Sequence, residues 1–270
     1  VDFREVVIAE SRIGSKVRAN PGEDQPMRYL ALAAVAALVV PGAILAAPAV
    51  TPAIEKALAD PARADQQGDD ARRKPAEVLA FAGVKPGQQV VDLLPGGGYW
   101  TRIFTGIVGP SGHVYALWPN ASAAYGAKGV AALQARSLAN VTAAVDPAII
   151  TVPKPVDLVW TVENYHDIAN KGGGESALSA FNAAVFKALK PGGTYVVIDH
   201  AAPAGSGLAD TETLHRIDPA IVKRQVINAG FIFVGESKAL ANPADDHTLK
   251  VFDPAIRGHT DQFVYKFRRR

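Results

Sequence analysis

One stretch constrains this 270-residue chain more than any other: QQVVDLLPGGGYWTRIFTGIVGP, residues 88–110. A short apolar run, Gln89 to Leu93, meets three consecutive glycines, and an amphipathic segment from Tyr99 to Val108 follows. The pattern predicts a buried strand, a tight turn and a helix. Open α/β sheets use that order to bring bare backbone against a ligand, because glycine adopts positive φ and has no Cβ to intrude.

The flanking segments predict the rest of such a sheet. Thr51 to Lys74 reads as one or two polar, alanine-rich helices, its charged end a solvated face or a cap over the ligand mouth. Pro75 opens a helix, PAEVLAFAGV, which the Lys85-Pro86-Gly87 turn ends. GHVYALWPN, from Gly112 to Asn120, is a second strand, Ala121 to Leu138 a helix, and Val141 to Val145 a third strand. Val156 to Ile168 reads as a fourth strand, apolar and then abruptly polar. A helix from Glu175 to Leu189 leads through LKPGG into TYVVIDHAA; a helix from Thr213 to Ala229 leads into FIFVGES. A Pro/Asp-rich excursion, Asn242 to Asp261, precedes the last strand, QFVYKFR. Alternating strands and helices ending in a strand pair predict an α/β domain, mostly parallel with an antiparallel finish.

Ahead of this domain, Met27 and Arg28 precede an apolar run from Leu30 to Val40 and the small-residue triplet Ala47-Pro48-Ala49. A basic start, a short apolar centre and an A-x-A site form a cleavable export signal, which places the mature protein in the periplasm; a buried helix is the alternative. Residues 1–26 read as an upstream or disordered extension, 27–49 as the signal, and 50–270 as a single domain. With 28 basic and 26 acidic residues the formal charge is +2, too little to mark nucleic acid as a partner. The absence of cysteine excludes disulfides, thiolate metal sites and cysteine nucleophiles.

Three segments, VVDLLPGGGYWT, DLVWTVENYHD and LKPGGTYVVID, resemble the class I S-adenosylmethionine (SAM)-dependent methyltransferase superfamily, and more narrowly a bacterial group of exported methyltransferases. The resemblance runs from about Arg72 to Arg268. It implies a Rossmann-like seven-stranded sheet with an antiparallel last strand and helices on both faces, SAM as cofactor, and a small-molecule methyl acceptor. Asp92 stands at the family's acidic position; Leu94 replaces the first glycine of its G-x-G-x-G motif, and Gly96 and Gly98 match the other two. The Pro95–Gly98 backbone is thereby assigned to the methionyl end, with Tyr99, Glu163 and Asn164 around it. Where the family carries a ribose-binding carboxylate, this chain has Trp118, followed by Pro119 and Asn120. Trp118 is then a stacking surface for adenine and Asn120 a ribose contact, while Asp146 matches the adenine-amine position loosely.

Methyl transfer needs positioning and, for acidic nucleophiles, a base. His166 is the first candidate for a base or an acceptor-orienting group, with Asp167 beside it; the plainer reading has both capping the next segment. Asp199 and His200 hold the analogous place on the fifth strand. Asp245, Asp246 and His247 are adjacent in a loop, and consecutive residues rarely converge on one ion, so no metal is expected. Two other functions compete with methyl transfer. One is a non-catalytic ligand-binding module on the same fold. The other is a nicotinamide oxidoreductase, whose G-x-G-x-x-G spacing fails at Thr101.

Overall fold

The computed structural model describes residues 48–119 and 122–270, so the readings of the leader and of Asn120 lie outside the described residues. Seven strands form one sheet: β1 Gln89–Leu93, β2 His113–Pro119, β3 Val141–Asp146, β4 Val156–Val162, β5 Leu189–His200, β6 Phe231–Ser237 and β7 Gln262–Arg269. Their order is β3-β2-β1-β4-β5-β7-β6. β1 to β5 run parallel, and β7 inserts antiparallel between β5 and β6. The expected sheet, including its antiparallel finish, is present.

Eight α-helices accompany it among the described residues: α1 Pro52–Leu58, α2 Asp70–Arg73, α3 Pro75–Ala82, α4 Tyr99–Val108, α5 Ala123–Gln134, α6 Tyr165–Ile168, α7 Gly174–Ala188 and α8 Pro219–Asn228. No helix among the described residues is long and apolar enough to cross a membrane. Strand side chains alternate, so each strand feeds two cores. Val91 and Leu93 pack toward Leu178, Phe181 and Val185 of α7 and Val222 and Val226 of α8. Val90 packs toward Val78 and Leu79 of α3 and Ile103, Phe104 and Ile107 of α4. Helices therefore cover both faces.

Of the predicted elements that are shorter than their sequence pattern, two bear on the site. β4 stops at Val162, because Glu163 takes φ 59° and turns the chain into the short helix α6. The strand expected to reach Ile168 thus delivers Asn164 to Asp167 as a turn above the sheet. Likewise the helix expected from Thr213 begins only at Pro219, behind the N-cap Asp218, whose side chain accepts from the Ala220 N–H. His215 and Arg216 consequently sit in a loop.

The strand order reverses between β1 and β4: the crossovers from β1 reach β2 and β3 on one side, and β4 lies on the other. The loops leaving the carboxyl ends of β1 and β4 therefore flank the topological switch point, the usual ligand crevice of open α/β sheets, and the region between them is the candidate crevice.

Candidate functional site

The crevice floor is the turn from β1 into α4. Leu94 adopts φ 55°, a left-handed conformation glycine takes freely, at a cost of about 1 kcal/mol for a residue with a Cβ. Its buried side chain packs with Trp118 and Leu133, which offsets that strain. Gly96 and Gly98 also have positive φ, 56° and 77°. A Cβ at Gly96 or Gly97 would meet open space, whereas one at Gly98 would lie 2.5 Å from Leu133. Glycine is thus required at 98 by packing, while 96 and 97 present bare backbone to the crevice. Beyond them, α4 begins, and a helix N-terminus is in general a favourable place for a negatively charged ligand group; here its third residue, Thr101, turns its hydroxyl to Asp92.

Asp92 lies under this turn, 2% exposed, and accepts a 2.7 Å hydrogen bond from the Thr101 hydroxyl. Burial pushes its carboxyl up to about 7, against the pull of Thr101 and of the Arg73 charge. Across the crevice, Asn164 donates to the Leu94 carbonyl at 3.2 Å and ties the β4 turn to the β1 turn. Glu163 accepts from Gln262 at 3.0 Å and faces Arg73 at 3.8 Å. The hydroxyl of Thr161, buried at the end of β4, has no hydrogen-bond partner among the described residues.

The segment before α3 covers this mouth. Tyr99 donates to Asp70 at 2.6 Å, Asp70 pairs with the buried Arg63 at 2.7 Å, and Arg73 lies 4.9 Å over the Tyr99 ring. Gln66 donates to the Gly97 carbonyl at 3.2 Å. The charged stretch is part cap and part solvated face: Asp70 and Arg73 reach Tyr99 and Glu163, while Arg72 and Lys74 are exposed.

The far end of the crevice, at β2, is filled. Trp118 is fully buried, and a Cβ at Gly126 would come within 2.6 Å of its side chain. A Cβ at Gly129 would overlap the indole outright and meet the Gly96 carbonyl at 2.9 Å. The two glycines let α5 lie directly on the ring, so no face of Trp118 is free to stack on adenine in this structure. Asp146 is buried as well and accepts from the backbone of Ala148 and Thr151 and from the Thr151 hydroxyl. Those bonds close its own loop rather than reach toward a base.

At the carboxyl ends of β4 and β5, His166 and Asp199 meet. Asp199 is fully buried and accepts the backbone N–H groups of His166 and His200, each at 2.8 Å. Its Oδ1 lies 2.8 Å from His166 Nδ1. An ionised carboxylate has no hydrogen to give, so Nδ1–H is the donor and Nε2 is turned outward. Burial alone would lower the His166 pKa; the Asp199 charge, aided by Asp167, overrides it and holds the imidazole at about 10. That surrounding suits an orienting cation better than a base. Burial lowers the pKa of both His200 and His215. His200 points elsewhere, toward the Thr260 hydroxyl at 2.8 Å.

His215 escaped the sequence reading. Its Nδ1 lies 3.2 Å from His166 Nε2, 49 residues away in sequence. The available signal was Asp218-Pro219, an N-cap and first-turn pair that starts the helix later and frees His215 for the crevice rim. Asp245, Asp246 and His247 do not converge. Asp245 is held by Arg216 at 2.8 and 3.1 Å, Asp246 by Thr248 at 2.7 Å, and His247 by Asp261 at 3.1 Å.

No family model matches this chain, and no curated protein does. Solved structures do. The N-methyltransferase NodS from Bradyrhizobium japonicum WM9 aligns with TM-score 0.52 at 12% identity, over 76% of this chain and 98% of that one. The glycopeptide N-methyltransferase MtfA, complexed with sinefungin, aligns with TM-score 0.51 at 15% identity, over 75% and 87%. The [4+2]-cyclase SpnF aligns with TM-score 0.52 at 15% identity, over 76% and 81%. At such identities the likeness is one of fold.

Proposed function

We propose that this protein is a SAM-dependent methyltransferase acting on a small-molecule acceptor outside the cytosol. The observation that carries the reading is the β1–α4 turn: two glycines with open space before them, above a buried aspartate, at the point where the strand order reverses. Two of the aligned structures are named as N-methyltransferases, which agrees with it. The leader pattern at Met27 to Ala49 supports export, and the near-neutral charge supports a small acceptor over nucleic acid.

The residues fit one half of SAM well. The Pro95–Gly98 backbone, the α4 N-terminus, Asp92, Asn164 and the unpartnered Thr161 hydroxyl would hold the methionyl group. The ribose end lacks the bidentate carboxylate, because Trp118 and the α5 glycines fill that corner. Binding would therefore rest on the methionyl contacts. When bound, SAM supplies an electrophilic methyl group. The chain supplies position: the Arg63–Asp70–Tyr99 cap closes the mouth and excludes water, and the Asp199-anchored turn of β4 lines the acceptor side.

A second reading has a specific observation behind it. The filled ribose corner, together with a cyclase on the same fold, allows a domain that holds another ligand without methyl transfer. Calorimetric titration of the purified chain with SAM, S-adenosylhomocysteine, sinefungin and NADH separates the two. Micromolar SAM binding, weakened at least ~10-fold in Asp92→Asn, supports the methyltransferase. No SAM binding at millimolar concentration defeats it in favour of the second reading.

A further inference from the structure

We propose that His166, Asp167 and His215 form a binding site for a divalent transition-metal ion of the zinc class. The proposal does not depend on methyl transfer; it rests on the convergence of His166 and Asp167, neighbours on the short helix α6, with His215 from the loop before α8, a convergence that residues adjacent in sequence rarely show.

Three potential ligand atoms lie together, His166 Nε2 becoming one when a metal displaces its proton. His166 Nε2 lies 3.2 Å from His215 Nδ1 and 3.3 Å from Asp167 Oδ1, and the last two are 3.5 Å apart. Ligands held tetrahedrally about 2.0–2.1 Å from one zinc ion stand about 3.3 Å from each other. The three observed separations bracket that value.

A dication in place of the His166 Nε2 proton would serve all three ligand atoms at once.

The surroundings are those of a built metal site. A ligating imidazole usually donates its other N–H to a carboxylate, which fixes the ring and raises its basicity. Asp199 holds His166 in this way from a fully buried position. Asn170 donates to Asp167 at 2.9 Å and orients it. His215 is fixed on both sides. The Leu214 N–H donates to Asp210 at 3.0 Å, and Arg216 is locked to Asp245 in a fully buried pair. The backbone of His215 takes φ 56°, an unfavourable conformation that aims its ring at His166. Meanwhile the Asp167 side chain is 47% exposed and that of His215 22%, so the fourth position opens to solvent. Three protein ligands and one open position is the arrangement of reactive rather than purely structural zinc sites. Two imidazoles and one carboxylate favour Zn²⁺, Fe²⁺, Co²⁺ or Ni²⁺ over Mg²⁺ or Ca²⁺. The open position would take water or an acceptor oxygen, which such an ion polarises.

The test uses the full chain without a histidine tag, stripped by a chelator, with Zn²⁺ followed by calorimetry and Co²⁺ by visible absorption. The expected result is one ion per chain, an intense tetrahedral Co²⁺ spectrum, and no displacement by millimolar Mg²⁺. His215→Ala and Asp167→Ala, both on the solvent side of the cluster, should each weaken binding at least ~100-fold. Asp199→Asn should weaken it ~10–100-fold. His259→Ala, exposed in the 242–261 loop and not among the ligands, should change nothing. Circular dichroism confirms that each variant is folded. Absence of Zn²⁺ and Co²⁺ binding, or binding that His215→Ala and Asp167→Ala leave intact, overturns the proposal. Because the readout is metal binding, its failure is separate from a failure to bind SAM.

Discussion

Two regions share the carboxyl edge of the sheet and are built from different material. At β1 the crevice is lined by backbone: Gly96 and Gly97 face open space, and Asp92 lies buried beneath them. At β4 and β5 it is lined by side chains, with Asp199, His166, Asp167 and His215 joined at 2.8 to 3.5 Å. The first region is open because glycine leaves it so. The second is ordered because each polar group has a partner, and a buried polar group without one is costly. One edge can therefore accept a ligand with little rearrangement, while the other is pre-organised around a fixed charge pattern.

The largest expected effect separates the two by stability. Asp199→Ala removes the acceptor of three donors and strands His166, so unfolding free energy should fall by about 3–5 kcal/mol. For a domain of this size the melting temperature would drop by about 10 °C or more. A drop of only ~2 °C would mean that the β4–β5 end is no more rigid than the glycine turn.

A middling effect concerns pH at the β1 end. Burial holds the Asp92 carboxyl at about 7, above its ordinary value of 3.8. Between those pH values the native state keeps a proton that the unfolded chain has released. Stability therefore falls as pH rises through that window. Asp92→Asn removes this dependence, so its melting temperature relative to wild type should rise by about a few degrees from pH 5 to pH 7.5. A gap that stays constant with pH would show Asp92 to be ionised throughout.

The smallest effect lies in the cap. Tyr99→Phe deletes the 2.6 Å hydrogen bond to Asp70 and should cost about 1 kcal/mol. Faster proteolytic nicking between Thr51 and Arg73 should accompany it. Unchanged nicking would mean that Arg63–Asp70 alone holds the cap over the glycine turn.

Legibility in the sequence followed the same division. β1 and α4 stand at their expected bounds, because an apolar run, three glycines and an amphipathic segment are local signals. The filled corner was harder to see. In sequence Trp118 reads as a ligand surface; only Gly126 and Gly129, eight and eleven positions later and lying on the ring, make it a core residue. β4 ends six residues before its sequence pattern does, because polar residues after an apolar run do not reveal a positive φ at Glu163. The helix placed at Thr213 hid His215, although Asp218-Pro219 marked the true start.

The amino-acid sequence by itself determined the layered α/β sheet, its antiparallel last strand and the glycine turn, because strand periodicity, helix periodicity and glycine are each legible within about ten residues. The tertiary structure decided which side chains share a point in space. His166 and His215 are 49 residues apart, and His166 and Asp199 are 33. Their meeting depends on β4 and β5 lying in register and on two turns that leave the sheet at the same edge. Contacts of that range are set by chain topology, and no local pattern encodes them.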